Sequence, residues 1–216
     1  MALYPVTGSR FFVEASRGSA ITVSDVSNAN PAVCTATSHG LVDNDEFLFH
    51  TSGWEDLNAS VFRVNQLTSS TFDLKVFDAT NTEFYPASGG AGTGYKIATW
   101  QEIGQVVGVQ SSGGGAQNIT VQLINKRKQQ RITTGFEASS LSFEVAFDPA
   151  LADQIALQSA SQSLAKKAFK FVLPGSAYAY CYGTVSMSPV PTFDTGSVMR
   201  RTVNVDIDGL FVFHSS

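Results

Sequence analysis

The residues of this chain that could do chemistry are few and scattered. Its three histidines are His39, His50 and His214, and its two cysteines are Cys34 and Cys181. His39 stands in Ser38-His39-Gly40-Leu41 with Asp43, Asp45 and Glu46 just behind it, so a hard-cation site is one reading. Asp43-Asn44-Asp45-Glu46 lacks the alternating ligands, turn glycine and distal glutamate of a calcium loop, and a turn with a polar cap is preferred. A Ser-His-Asp triad stays open, but no Gly-x-Ser-x-Gly elbow supports it. In Gly89-Gly90-Ala91-Gly92-Thr93-Gly94-Tyr95-Lys96 the outer glycines have phosphate-loop separation, yet Tyr95 takes the lysine position and Lys96 the hydroxyl position. Tyr95 also stands where the dinucleotide pattern needs its third glycine. Nothing helical follows to supply a dipole and free N–H groups, so a hairpin loop is expected. The expectation is a protein with no catalytic set, no metal and no cofactor.

One cluster of charge is dense. Asn125-Lys126-Arg127-Lys128-Gln129-Gln130-Arg131 could meet nucleic-acid phosphates. No aromatic residues are interleaved to stack bases, and the formal net charge is −4, so a solvated loop or a contact between subunits is preferred. A different pattern concerns polar side chains. Asn118, Thr120, Gln122, Ser140, Ser142, Glu144, Thr202, Asn204, Asp206 and Asp208 occupy the polar positions of three alternating segments and include three acids but no Lys or Arg. If these faces join, the surface is neutral to acidic and repels a polyanion; the plain alternative is a solvated sheet with few charges.

The elements that must position these residues are nearly all strands. Short ones are expected at Arg10–Ala15, Ala32–Ala36, Glu46–His50, Val61–Val64, Phe72–Val76 and Tyr95–Ile97, separated by turn residues, the spacing of a small barrel or sandwich. Later strands are cleaner. Ile119, Val121 and Leu123 alternate with polar residues; so do Leu141, Phe143, Val145 and Phe147, and then Val203, Val205 and Ile207. Each is expected to bury one face. One helix is predicted, capped by Asp148 with Pro149 in its first turn, and running through Lys167 on Leu151, Ile155, Ala156, Leu164 and Ala168. Tyr178, Tyr180 and Tyr182 alternate with Ala177, Ala179 and Cys181, as in a strand packed on both sides.

Composition agrees. Of 216 residues 43% are hydrophobic and only 15% charged. That is unlike a disordered chain, which couples low hydrophobicity to high net charge. No run reaches the ~18 apolar residues of a membrane helix, and Met1-Ala2-Leu3-Tyr4-Pro5 lacks the layout of a signal peptide. A soluble chain made in reducing host cytoplasm, with no membrane contact, is expected. Residues 20–97 hold nine acids and three bases, whereas the remainder holds nine acids and eleven bases. This asymmetry suggests two units, 1–19 with 98–216 as a core and 20–97 as an insert.

From Ala98 onward the chain resembles the major tail tube proteins of long, non-contractile phage tails. The resemblance rests on Trp100-Gln101-Glu102-Ile103-Gly104-Gln105-Val106, the loop Lys126 to Gly135, and Phe143 to Pro149 entering a single helix. It continues with Lys170-Phe171-Val172-Leu173-Pro174, Gly183 to Ser188 and Arg201 to Val205, with Gly8 to Ala15 as a first strand. The insert looks different. Pro31 to Leu41, Leu57 to Val64 and Ser70 to Leu74 resemble small barrel repeats of phage structural proteins, similar to the small β-barrel half-domain of ubiquitin-activating enzymes. That likeness gives Cys34 no catalytic role.

The family resemblance implies a mainly β tail-tube-type sandwich or barrel with one flanking helix, plus an inserted small β-barrel on the tube exterior. It implies hexameric rings stacked into a conduit for DNA ejection, in the virion tail. Partners would be further copies of the chain and the tape measure, terminator and baseplate proteins, with DNA passing unbound. The ten polar residues above would then face the bore, and Lys126, Arg127, Lys128 and Arg131 would touch the next ring. The rival readings are another all-β virion component, such as a terminator, baseplate or head decoration protein. A carbohydrate-binding module or hydrolase using Trp54, Trp100 and the tyrosines as platforms is a third.

Overall fold

The computed structural model describes residues 7–193 and 195–215. In chain order the strands are β1 (Arg10–Val23), β2 (Asp25–Val26), β3 (Ala32–Thr35), β4 (Glu46–Ser52), β5 (Ser60–Thr68), β6 (Thr71–Leu74) and β7 (Gly92–Ile103). They continue as β8 (Val106–Ser112), β9 (Ala116–Val121), β10 (Gln130–Phe136) and β11 (Ser139–Ala146). After the helix α1 (Ala152–Gln162) come β12 (Lys166–Leu173), β13 (Ala177–Met187), β14 (Arg200–Ile207) and β15 (Val212–His214). Thirteen strands form one antiparallel sheet in the order β2-β3-β6-β5-β4-β7-β1-β12-β13-β14-β11-β8, with β15 added beside β13; β9 and β10 pair only with each other. The mainly β architecture with one helix is as expected.

The sheet curls around two cores. One lies under α1 and is built from Val13, Phe143, Val145, Leu157, Phe169, Cys181, Val185, Val203 and Val205. Alternation explains it, because Leu141 and Phe143 of β11 face Val205 and Val203 of β14 in register, and these four and Val145 are all buried. The other fills the acidic segment with Phe47, Phe49, Trp54, Phe62, Phe72 and Leu74, ring edges meeting ring faces. A smaller cluster joins them, in which Leu48 and Val61 pack on Tyr180 and Tyr182.

β1 and β7 run through both expected unit boundaries and pair with each other on either side of them, from Phe11↔Ile103 to Val23↔Gly92. Register shifts between Glu14 and Ala20 bend the pair there. Glu14 is buried at that bend, accepting the Ala168 N–H at 3.0 Å and pairing with Arg17.

Three expectations for the helix need correction. The helix ends at Gln162, and Lys166 and Lys167 belong to β12. Leu151, not Asp148, precedes its first turn, while Asp148 Oδ1 accepts the Ala150 N–H. The buried face is also rotated: Ile155 and Leu164 are exposed, whereas Asp153, Gln154, Leu157 and Ala160 are buried. The physical reason is that both polar residues find backbone partners in the sheet. Asp153 accepts the Gly104 N–H at 2.8 Å, and Gln154 donates to the Ala146 carbonyl while accepting the Asp148 N–H.

Candidate functional site

The residues singled out for chemistry are spent on structure. His39 is buried, its Nδ1 accepting the Leu41 N–H and its Nε2 lying 3.0 Å from the Thr68 carbonyl, which it serves as donor. Both thiols are buried, and desolvation pushes Cys34 up and Cys181 to about 12, so neither is a nucleophile. The glycine run opens β7 and lies against β4. A Cβ on Gly94 would stand 2.4 Å from the Leu48 carbonyl oxygen and 2.3 Å from Phe47 Cζ, so close strand packing accounts for the glycine there. Trp54 is buried and donates to the Pro86 carbonyl, and Tyr180 and Tyr182 are buried under β4 and β5. None of these rings is available as a sugar platform.

What remains is a surface. On the side of the sheet turned away from α1, Ser140, Ser142 and Glu144 of β11 stand directly opposite Asp206, Asn204 and Thr202 of β14. Gln110 and Ser112 of β8 continue that face on one side, and Ser186 and Thr184 of β13 on the other. Six of the ten expected polar residues thus form one patch, with Asp208 at its border. The cations are closer than the sequence suggested. Arg200 lies opposite Ala146 on the same face and pairs with Glu144 at 3.2 Å, and Lys166, opposite Thr184, pairs with Asp208 at 2.9 Å. Asp206 has no ion-pair partner among the described residues. The face is therefore polar, nearly neutral and slightly acidic. It ends at β8, whose outer edge pairs with no other strand among the described residues and whose seven residues carry no charge and no proline.

Asn118, Thr120 and Gln122 lie elsewhere. β9 and β10 extend the β8–β11 hairpin beyond Gly113 and Gly114, where φ is +81° and +73° and a Cβ on Gly113 would strike the Ala138 carbonyl oxygen. Beyond this break the hairpin is an arm that stands exposed on both sides among the described residues. Ile119 and Ile132 oppose each other yet are 51% and 48% exposed, so the burial expected for Ile119 and Leu123 does not occur. Lys126, Arg127 and Lys128 lie in the loop at the arm's tip and Arg131 sits opposite Thr120, all exposed. Residues 116–136 carry four bases and no acid. Alternation marked β9 as a strand; only the strand pairing shows that, among the described residues, its apolar face meets no more than β10.

Residues 52–216, about three quarters of the chain, match the family model described as phage tail tube protein, TTP. The match runs from the end of β4 through the polar face and the arm to the C-terminus, and so spans part of the acidic segment as well. No curated protein matches the chain.

Proposed function

The chain belongs to the phage tail tube protein family, as a structural, non-enzymatic component of the virion tail, and from that premise we propose how its surfaces build the tube. Six copies close into a ring, rings stack, and the polar face of β8, β11, β14 and β13 forms the inner wall through which DNA leaves. The observation that carries this reading is the polar face running without interruption to the edge of β8, which pairs with no further strand among the described residues. An uncharged, unprotected edge is an aggregation liability in a monomer, and pairing it with the next subunit removes the liability. A head-to-tail contact of this kind closes into a ring when its rotation divides the circle.

The wall composition fits passage rather than binding. Phosphate-binding cations would release counterions and hold DNA. Here Lys166 and Arg200 are already paired with Asp208 and Glu144, and Asp206 adds negative charge. The strands of the acidic unit, 20–97, come at the opposite end of the sheet order from β14, β11 and β8, and β4 and β5 close over Tyr180 and Tyr182 of β13 rather than over Ser142, Asn204 and Asp206. This supports placing that unit outside the bore as a small barrel; no match supports its likeness to the ubiquitin-activating half-domain. The tube ends would meet tape measure, terminator and baseplate proteins.

Electron micrographs of the concentrated chain test the reading. Long hollow tubes are expected; single closed rings would instead indicate a terminator or decoration protein.

A further inference from the structure

Arg201 is the one lysine or arginine among the described residues that is buried, at 5% exposure. It rises from β14 on the α1 side of the sheet, with Val203 and Val205 and away from Ser142 and Asn204. Its guanidinium stands over the Phe147 ring at 5.8 Å, Nε donates to the Ser188 carbonyl at 2.8 Å, and Nη1 donates to Gln158 Oε1 at 3.1 Å. Both acceptors are neutral. Among the described residues no carboxylate pairs with Arg201, whereas Arg10, Arg17 and Arg200 each have one. Of the five guanidinium N–H donors, three find no partner among the described residues. Holding an unpaired charge out of water is costly, and the carbonyl end of α1 at Gln162 offsets only about half a charge.

The guanidinium lines an open cavity of about 290 Å³ between the end of α1 and the β13–β14 connection. The polar side chains around it are donors. Ser161 Oγ accepts the Met187 N–H at 2.8 Å and so keeps its own O–H to give. Gln158 turns its carbonyl to Arg201, which leaves its amide NH2 to donate elsewhere, and the exposed Gln162 adds a second amide at the mouth. Met187 and Pro189 complete the wall, and no acid among the described residues lines it. We infer that this cavity binds a small free oxyanion of the phosphate class, seated on Arg201. A planar guanidinium gives two parallel N–H groups to one oxyanion, and Ser161 and the glutamine amides serve its remaining oxygens. The volume holds such an ion with several waters, at about 30 Å³ per water. Once bound, the ion offsets the buried charge and ties α1 to the connection that begins at Ser188. The site lies on the face opposite the polar wall, so it stands apart from the tube reading.

Melting of the full chain in sodium phosphate, against sodium chloride at equal ionic strength, tests the site. A saturable rise in melting temperature is expected, as mass action requires of a ligand that binds only the folded chain. Gln162→Glu is an exposed change that puts a carboxylate at the mouth, and it should weaken the phosphate midpoint about tenfold or more. Arg201→Gln should abolish saturation; if that chain does not fold, Gln162→Glu still decides. Phosphate line broadening by phosphorus NMR should follow the same order. A rise that grows linearly with concentration, and equally in the parent and Gln162→Glu chains, would show general salt exclusion with an adventitious ion only, and would overturn the site. Saturation that appears only after Asp194→Asn, a position outside the described residues, would show the chain's own carboxylate competing there and would also overturn it.

Discussion

β11 and β9 carry the same alternation of apolar and polar residues, and they end in different surroundings. In β11, Leu141, Phe143 and Val145 are closed over by β14 residues and α1. In β9, Ile119 faces only Ile132, and both stay half exposed. The difference lies in what the chain brings to each face. The first strand is finished by its own molecule, and the second is left exposed among the described residues. A residue's contribution should therefore appear in folding for β11 and in assembly for the arm.

Substitutions can break or sharpen that contrast. The largest effect is expected for Phe143→Ala, which empties a fully enclosed site and should cost about 3–5 kcal/mol, measured by chemical denaturation of the monomer. Ile132→Ser should leave the monomer's unfolding free energy within about 0.5 kcal/mol of the parent, the usual range for a surface change, while abolishing stacking in micrographs. A comparable loss of monomer stability would erase the distinction between the strands.

His214 gives a smaller, pH-dependent effect. Its ring is buried against Tyr180, its Nε2 accepts the Arg63 N–H, and desolvation followed by the nearby Arg63 and Lys75 charges lowers it to about 4. Above the ordinary histidine range both folded and unfolded forms are neutral and stability does not depend on this group. As pH falls from about 6.5 toward 4, the unfolded chain binds the proton and the folded one does not, so stability is lost through that window. The expected loss is on the order of 3 kcal/mol, and His214→Gln should flatten the pH dependence of the melting temperature. The smallest effect belongs to Arg200→Gln. Its exposed pair with Glu144 is worth ~0–1 kcal/mol, so the melt should barely move, although the wall becomes more acidic.

Much of this fold can be read from the chain, and the limits are physical. Period-2 alternation in Ser140 to Phe147 and Arg201 to Asp208 reveals strands and their buried faces because both faces are settled by close neighbours. The helix is legible near Asp148 and Pro149, but its buried face is not. Asp153 and Gln154 are polar residues whose partners, Gly104 and Ala146, come from strands that sequence spacing does not bring near. The pairing of Lys166 with Asp208 likewise depends on β12 lying beside β13. For the arm, Lys126 to Arg131 announces a surface by charge, but no local pattern tells an apolar face left exposed from one buried at home.

The central claim is that the β8–β11–β14–β13 face is the wall of the tube. A cryo-electron-microscopy map of tubes grown from the purified chain tests it most directly. Hexameric rings with Ser142, Asn204 and Asp206 turned to the bore, and β8 joined edge to edge with its neighbour, are the predicted result. A bore lined by the arm's lysines and arginines, or rings closed without β8, would contradict it.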